Sequence, residues 1–248
     1  MSALLEFDDV YYRYPGQERY ALEGLSVAFP EGENIALIGR NGAGKSTLFL
    51  HCNGLYQPDS GQIRFAGQPL KYDRSSLKSL RQHIGIVFQN ADDQLFSASV
   101  AQDISFGPYN LGLSDAEVRR QVQMAAELCG VVTMLDRPTH ALSGGEKARV
   151  ALAGVLAMDP DLLISDELMA NLDPWGRRRI FDIFHQLRQR GKTIVLATHD
   201  LNVVRRWATY VVVMAGGQAA FAGTPDQLLV DEATLQQTGL AQVWFDEI

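Results

Sequence analysis

The run Gly39-Arg40-Asn41-Gly42-Ala43-Gly44-Lys45-Ser46-Thr47 constrains this chain more than any other stretch. It matches G-x-x-x-x-G-K-[ST], a loop built to hold phosphate. Its glycines let the backbone turn tightly and approach an anion with no Cβ in the way. A helix opening at Lys45 and running to about Cys52 aims its unpaired N–H groups and positive dipole end at that anion. Lys45 supplies a point charge for the β- and γ-phosphates, and the Ser46 hydroxyl can sit on Mg²⁺. Such a loop follows a buried strand, and Asn34-Ile35-Ala36-Leu37-Ile38 reads as one.

The chain has 248 residues, enough for one large domain or a domain with a subdomain. Hydrophobic residues make up 46% and charged residues 21%, which suits a globular core. The net charge of −7 argues against a dedicated nucleic-acid binder, so no nucleic-acid partner is expected. No apolar run approaches the ~18 residues that cross a bilayer. The start, Met1-Ser2-Ala3-Leu4-Leu5-Glu6-Phe7-Asp8, lacks the basic and apolar regions of a signal peptide. Cys52 and Cys129 have no partner spacing and are expected to be reduced core thiols of a cytosolic protein. His51 beside Cys52 is not expected to form a metal site, because adjacent helical residues point apart.

Along the chain, Leu4 to Tyr14 alternates loosely and reads as an edge strand, followed by a Pro15-Gly16 turn. Leu22 to Phe29 is a second strand, and Pro30-Glu31-Gly32-Glu33 turns into the strand feeding the phosphate loop. Gly54 caps the first helix, Pro58 to Gly61 is a turn, and Gln62 to Phe65 is a strand. Ser75 to Gln82 is helical, and Ile84 to Gln89 is a buried strand ending in a glutamine. From Asn90 to Ala141 the strand signal fades. Ser114-Asp115-Ala116-Glu117 is a capping box for a helix to about Leu128, stopped by Gly130. The α/β pattern then returns: a helix over Glu146 to Met158, a strand over Leu162 to Ser165, and a helix from Pro174 to Arg190. Strands follow at Thr193 to Ala197 and Tyr210 to Met214, with a helix over Leu201 to Trp207 between them. Gly216-Gly217 turns a hairpin into Gln218 to Phe221, and the tail from Thr224 to Ile248 is expected to be helical.

Two further motifs carry chemistry. Leu162-Leu163-Ile164-Ser165-Asp166-Glu167 is an apolar strand ending in two carboxylates. Asp166 can hold Mg²⁺ through water, and Glu167 then stands where a general base would activate the attacking water. Leu142-Ser143-Gly144-Gly145-Glu146, at a helix start, closely resembles the signature motif of ABC-transporter ATPases. That family also has a glutamine after a strand, matched by Gln89. It has a D-loop aspartate, matched by Asp173, and a switch histidine after a strand, matched by His199. Tyr14 fits the upstream aromatic that stacks on adenine. All occur in family order between about Leu4 and Gly223.

The resemblance implies an ABC ATPase fold of class α/β: a RecA-like P-loop NTPase core with an antiparallel β subdomain and an inserted helical subdomain. Residues 1–89 and 160–223 would form the core with its β subdomain. Residues 90–159 would be the helical subdomain with the signature motif, and 224–248 a C-terminal tail. The implied cofactors are ATP and Mg²⁺. The implied assembly is a head-to-tail dimer, each ATP lying between Gly39–Thr47 of one copy and Ser143–Gly145 of the other. In it Glu167 polarises water, His199 holds the γ-phosphate, and Gln89 links Mg²⁺ to the helical subdomain.

A narrower resemblance lies in Phe88-Gln89-Asn90-Ala91-Asp92-Asp93-Gln94-Leu95-Phe96, in Asp103-Ile104-Ser105-Phe106-Gly107-Pro108 and in Val150 to Met158. These look like the ATPases of energy-coupling-factor importers of vitamins or transition-metal ions. The whole chain is most similar to those of cobalt importers, with nickel importers close behind. This implies a peripheral protein on the cytoplasmic face of the cell membrane. Its partners would be a membrane coupling subunit and a substrate-binding membrane subunit. Asp92 and Asp93 would then meet coupling-helix arginines; otherwise they are a solvated acidic turn. A soluble ABC ATPase of DNA repair or translation is the rival class, and one short acidic cassette points away from it. Four positions depart from the family pattern: Leu168, Met169, Asn171 and Glu146. Glu146 could bind a ribose hydroxyl or favour the helix N-terminus.

Overall fold

The computed structural model describes residues 2–169 and 172–240. In chain order its elements are β1 (Ala3–Tyr12), β2 (Leu22–Pro30), β3 (Asn34–Ile38), α1 (Lys45–Cys52), β4 (Ser60–Phe65), β5 (Gln68–Pro69), α2 (Arg74–His83), β6 (Ile84–Val87), α3 (Val100–Leu111), α4 (Asp115–Cys129), α5 (Gly144–Leu156), β7 (Leu162–Asp166), α6 (Pro174–Gln189), β8 (Thr193–Ala197), α7 (Leu201–Arg206), β9 (Tyr210–Ala215), β10 (Gln218–Gly223), α8 (Pro225–Val230) and α9 (Glu232–Thr238). They fall into two compact units, Met1–Leu77 with Thr193–Ile248, and Lys78–Lys192.

In the first unit, β1 pairs antiparallel with both β2 and β4, in the sheet order β2-β1-β4-β5. The strand expected at an edge is therefore interior, and it ends at Tyr12. Its loose alternation comes from a bulge between Phe7 and Val10, where Asp9 takes a φ of 50°. A turn was expected over Pro58 to Gly61, but β4 already starts at Ser60. Gly61 has a φ of 85°, and a Cβ there would lie 2.2 Å from the Asp9 carbonyl oxygen, so glycine is what lets β4 run beside the bulge.

The same unit holds strands in the order β10-β9-β3-β8, with β3 parallel to both neighbours. All five residues of β3 are buried, the pattern of a strand covered on both faces. Ala36 and Ile38 pack with Val211 and Val213 of β9, Leu201 and Val204 of α7, Leu228 of α8 and Leu235 of α9. This core fixes the carboxyl end of β3, from which the phosphate loop departs. The tail forms α8 and α9; the part of the expected helix beyond residue 240 lies outside the described residues.

In the second unit, β6 and β7 pair in parallel, Ile84 to Leu162 and Val87 to Ser165. β6 stops at Val87, so Gln89 stands in a bend beyond the strand. Helices dominate the stretch where strand signal fades. α4 has the expected Ser114–Glu117 capping box and ends at Gly130 in the left-handed conformation. α3 was not expected, because Gly107-Pro108 lies inside it. Its ends are orthodox: Ser99 accepts from the Gln102 amide, and Gly112 terminates it. Gly107 has a packing reason, since a Cβ there would come within 2.7 Å of the Met158 sulfur. α5 opens at Gly144 and closes at Leu156, ahead of the expected Glu146 to Met158 at both ends. Both cysteines are buried and unpaired, and burial raises both thiols, that of Cys129 to about 12.

Candidate functional site

α1 begins unlike the later helices. Each of α3 to α9 starts on a Ser, Thr or Asp whose side chain accepts a first-turn N–H. α1 starts on Gly44, at a φ of 102°, with no side-chain cap and no acid in its first turn. A helix start with no capping oxygen and no acid suits an external anion. The cradle requires glycine. A Cβ on Gly39 would lie 2.4 Å from the Met214 carbonyl oxygen, and one on Gly44 would lie 2.7 Å from that of Ala21. Arg40 and Asn41 are exposed at the loop tip, Gly42 follows at a φ of 81°, and the buried Ala43 donates its N–H to the Arg40 carbonyl.

Lys45 is 7% exposed, and its ammonium donates to the Gly39 carbonyl at 2.7 Å and the Arg40 carbonyl at 3.4 Å. The charge is therefore parked at the loop. Ser46 is exposed in the first turn, while Thr47 is buried with its hydroxyl 3.0 Å from that of Tyr14. His199 is exposed beyond β8, in the same unit. With Gly39 and Arg40 it lines a cavity of about 350 Å³ walled on the far side by Thr238, Gly239 and Leu240.

The second unit carries the other candidates. β7 delivers the partly exposed Asp166 at its end, and Glu167 follows at a φ of 49°. A non-glycine residue held there stores about 1–3 kcal/mol, and such strain gathers at functional sites. Gln89 donates from Nε2 to Oε2 of Glu167 at 3.2 Å, so two candidates distant in sequence meet. Leu168 and Met169, two of the four departures, are buried, which explains their apolar character. Asn171 lies outside the described residues. Asp173 caps α6, accepting the Gly176 N–H at 2.6 Å.

Ser143 caps α5, and Glu146 closes the box by accepting the Ser143 N–H at 2.7 Å. The other carboxylate oxygen of Glu146 accepts from Arg137 at 2.8 Å. The Ser143 N–H and then Arg137 hold this carboxyl down to about 2. Of the two roles open to Glu146 from the sequence, the structure shows the helix-terminal one. Gly144 is exposed and Gly145 half-buried in the first turn. Asp92 is ion-paired with Lys147 of α5, while Asp93 is exposed.

Sequence reasoning missed three contacts. These are the Tyr14–Thr47 bond, the Arg137–Glu146 pair, and Asp103, whose carboxylate accepts the N–H groups of Phe96 at 3.0 Å and Ser97 at 2.7 Å. For Asp103 a signal existed: an acid in the first turn of a helix opened by Ser99.

A family model described as ABC transporter matches residues 22–170. The chain belongs to the ABC transporter ATPase family. Its fold is the ABC ATPase fold, a RecA-like α/β core with an antiparallel β subdomain and an inserted helical subdomain. It is similar to a solved structure titled cbiO1 from Clostridium perfringens, part of the ABC transporter complex cbiONQ. That match has 40% identity and a TM-score of 0.84 over 100% of both chains. It is 43% identical to an energy-coupling factor transporter ATP-binding protein, EcfA, of Methanocaldococcus jannaschii, over 96% of this chain and 85% of that one. It is 44% identical to a cobalt import ATP-binding protein, CbiO, of Rhodobacter capsulatus, over 97% of this chain and 85% of that one. Against a putative ABC transporter ATP-binding protein of Methanosarcina mazei, the chain spans about half the relative's length, 52%. This ABC ATPase binds ATP and is an ATP-hydrolysing enzyme.

Proposed function

We propose that this ABC ATPase is the ATP-hydrolysing subunit of an energy-coupling-factor importer and powers uptake of a transition-metal ion, cobalt. The observation that carries this is the coincidence of an uncapped phosphate-loop helix with the ordered set Gln89, Ser143–Gly145, Asp166, Glu167, Asp173 and His199. The likeness to proteins named EcfA and CbiO supports the transport class and the ion.

In this reading Gly39, Arg40, Asn41, Gly42, Ala43, Gly44, Lys45, Ser46 and Thr47 hold the phosphates, and Tyr14 stacks on adenine. Ser46, Gln89 and Asp166 hold Mg²⁺. Ser46 is exposed and Asp166 partly exposed, and both are hard oxygen donors. Among the described residues no group of three acidic, His or Cys side chains forms a metal cage, and Mg²⁺ does not require one. When bound, the ion neutralises charge on the phosphate oxygens. Glu167 takes the proton of the attacking water, and His199 steadies the γ-phosphate. A second copy supplies Ser143, Gly144, Gly145 and Asp173, so ATP joins the two copies and hydrolysis releases them.

Among the described residues no helix is long and apolar enough to cross a membrane. In this reading the membrane passage belongs to a coupling subunit and a substrate-binding subunit. Their docking surface is the segment after Gln89. Phe96 is 65% exposed and packs edge-on against Phe106, with their centroids 4.7 Å apart, beside the acidic pair Asp92-Asp93. A cationic, apolar coupling helix fits that surface. Residues 90–159 act as the moving helical subdomain. The deciding experiment is co-expression with candidate membrane subunits, followed by co-purification and uptake of cobalt, nickel and vitamins. ATP-dependent cobalt uptake is expected. Uptake of nickel or a vitamin alone overturns the ion, and absence of any membrane partner overturns the importer.

A further inference from the structure

Two aromatic side chains come from β1 and its exit, Tyr12 and Tyr14, and two from α1 and the turn after it, His51 and Tyr56. The four rings meet. Tyr12 and Tyr56 stack at 5.1 Å with 16° between their planes. Tyr14 stands edge-on to both, at 5.3 Å and 78° from Tyr12 and at 5.7 Å and 89° from Tyr56. His51 packs against Tyr12 at 4.6 Å. Three restraints therefore fix the Tyr14 ring: two aromatic edges and the hydroxyl contact with Thr47.

Thr47 is engaged at both ends. Its hydroxyl meets Tyr14, and its carbonyl accepts from Nδ1 of His51 at 2.8 Å. That bond places the His51 proton on Nδ1, because a carbonyl can only accept. Nε2 of His51 is buried with no hydrogen-bond partner, and burial lowers the affinity of the ring for a second proton. The His51 ring at the base of the cluster is therefore neutral. Tyr56 is set by its own backbone, donating its N–H to the Leu50 carbonyl at 3.1 Å just past α1.

We propose that Tyr56 is a positioning residue for nucleotide recognition: with Tyr12 and His51 it holds the Tyr14 ring where the base stacks, and through Thr47 it locks that platform to the phosphate loop. This rests on the reading of Tyr14 as the base platform. Tyr12 is too buried, at 8% exposure, to be a platform itself. Tyr20 is 41% exposed, but Arg13 lies over its ring at 5.3 Å.

The test compares ATP with inorganic tripolyphosphate, which has the phosphates and no base, on the purified full chain in Mg²⁺. Tyr56→Ala should weaken ATP binding about three- to tenfold, the value of one or two lost aromatic edges, and leave tripolyphosphate binding within about twofold. Tyr56→Phe keeps the ring and should restore ATP binding. Tyr14→Phe keeps the platform, loses the tether, and should weaken ATP less than Tyr14→Ala does. Equal weakening of ATP and tripolyphosphate in Tyr56→Ala would mean general damage to the loop and overturn the proposal. Unchanged ATP binding in Tyr56→Ala, beside weakened binding in Tyr14→Ala, would remove the positioning role alone. Unchanged ATP binding in Tyr14→Ala would remove the base platform and the proposal with it.

Discussion

α1 and α5 each begin at a loop expected to meet phosphate, and they begin in opposite ways. α1 opens on a glycine, with no side-chain cap, no acid in its first turn and a buried lysine held on the loop carbonyls. α5 opens on a serine whose box is closed by a carboxylate, which is in turn neutralised by Arg137. An anion at α1 meets a helix start with no acid in its first turn and a cation beside it. An anion at α5 also meets Glu146 within the first turn, so α5 alone is a poor phosphate site. Ser143 is itself engaged in the box: its oxygen accepts the Glu146 N–H, and its hydroxyl also bonds the Glu146 carboxylate. The difference teaches a division of labour under the proposed function: α1 would capture nucleotide, whereas the rigidly capped α5 would add donors once another copy presents a nucleotide to it.

The sharpest separation of binding from chemistry is Glu167→Gln, which touches neither helix end. Hydrolysis should fall by roughly 10²–10⁴-fold, the usual worth of a positioned base. ATP affinity should be kept, and an ATP-bound dimer should accumulate. Steady-state turnover beside a nucleotide titration measures both. Near-normal turnover would take Glu167 out of the base role.

The two ends are then compared directly. Lys45→Ala should lower ATP affinity by about 10²-fold, as expected for hydrogen bonds from a charged group. Ser143→Ala should leave the affinity of the dilute, monomeric chain within about twofold, because α5 is not the capturing end. Equal losses in the two variants would break the comparison. A third measurement reads stability. Ser143→Ala removes the α5 cap and should cost about 0.5–2 kcal/mol in chemical denaturation. α1 has no such cap to lose, so its end contributes function at no comparable gain in stability.

How much of this was legible beforehand follows from the range of each interaction. The phosphate loop and α1 were legible because strand, glycines and lysine lie in one unbroken stretch. The capping box of α4 and the stop at Gly130 were legible for the same local reason. β1 was misplaced at an edge because the bulge at Asp9 breaks its period, and only the partners β2 and β4 show that it is interior. α3 was hidden by Gly107-Pro108, which tertiary packing against Met158 tolerates. In the candidate site, the motifs stand in the sequence, but the contacts their residues make do not. Tyr14–Thr47 and Gln89–Glu167 join residues far apart in the chain, and nothing in a glutamate announces the φ of 49° at Glu167.

The smallest expected effect tests the claim that Glu146 serves α5 itself. Glutamine can close a capping box as glutamate does, so Glu146→Gln should keep the helix start and lose only the charge facing Arg137. The pair is partly open to solvent, with 41% exposure on Arg137 and 20% on Glu146, so its loss should cost about 0.2–1 kcal/mol near neutral pH. The sign of the pH dependence follows from the carboxyl being held down to about 2 from an ordinary 4.5. A depressed carboxyl stabilises the fold above its unfolded value and loses that contribution as pH falls towards its folded value. The stability difference between the two proteins should therefore be level from neutral pH to about 5 and shrink between about 4.5 and 2, where the protonated acid resembles the amide. Denaturation curves at pH 7 and pH 3 decide it. A difference that stays constant or grows on acidification would show that Glu146 does not stabilise the α5 terminus as a carboxylate, and the contrast drawn between the two helix starts would lose its electrostatic half.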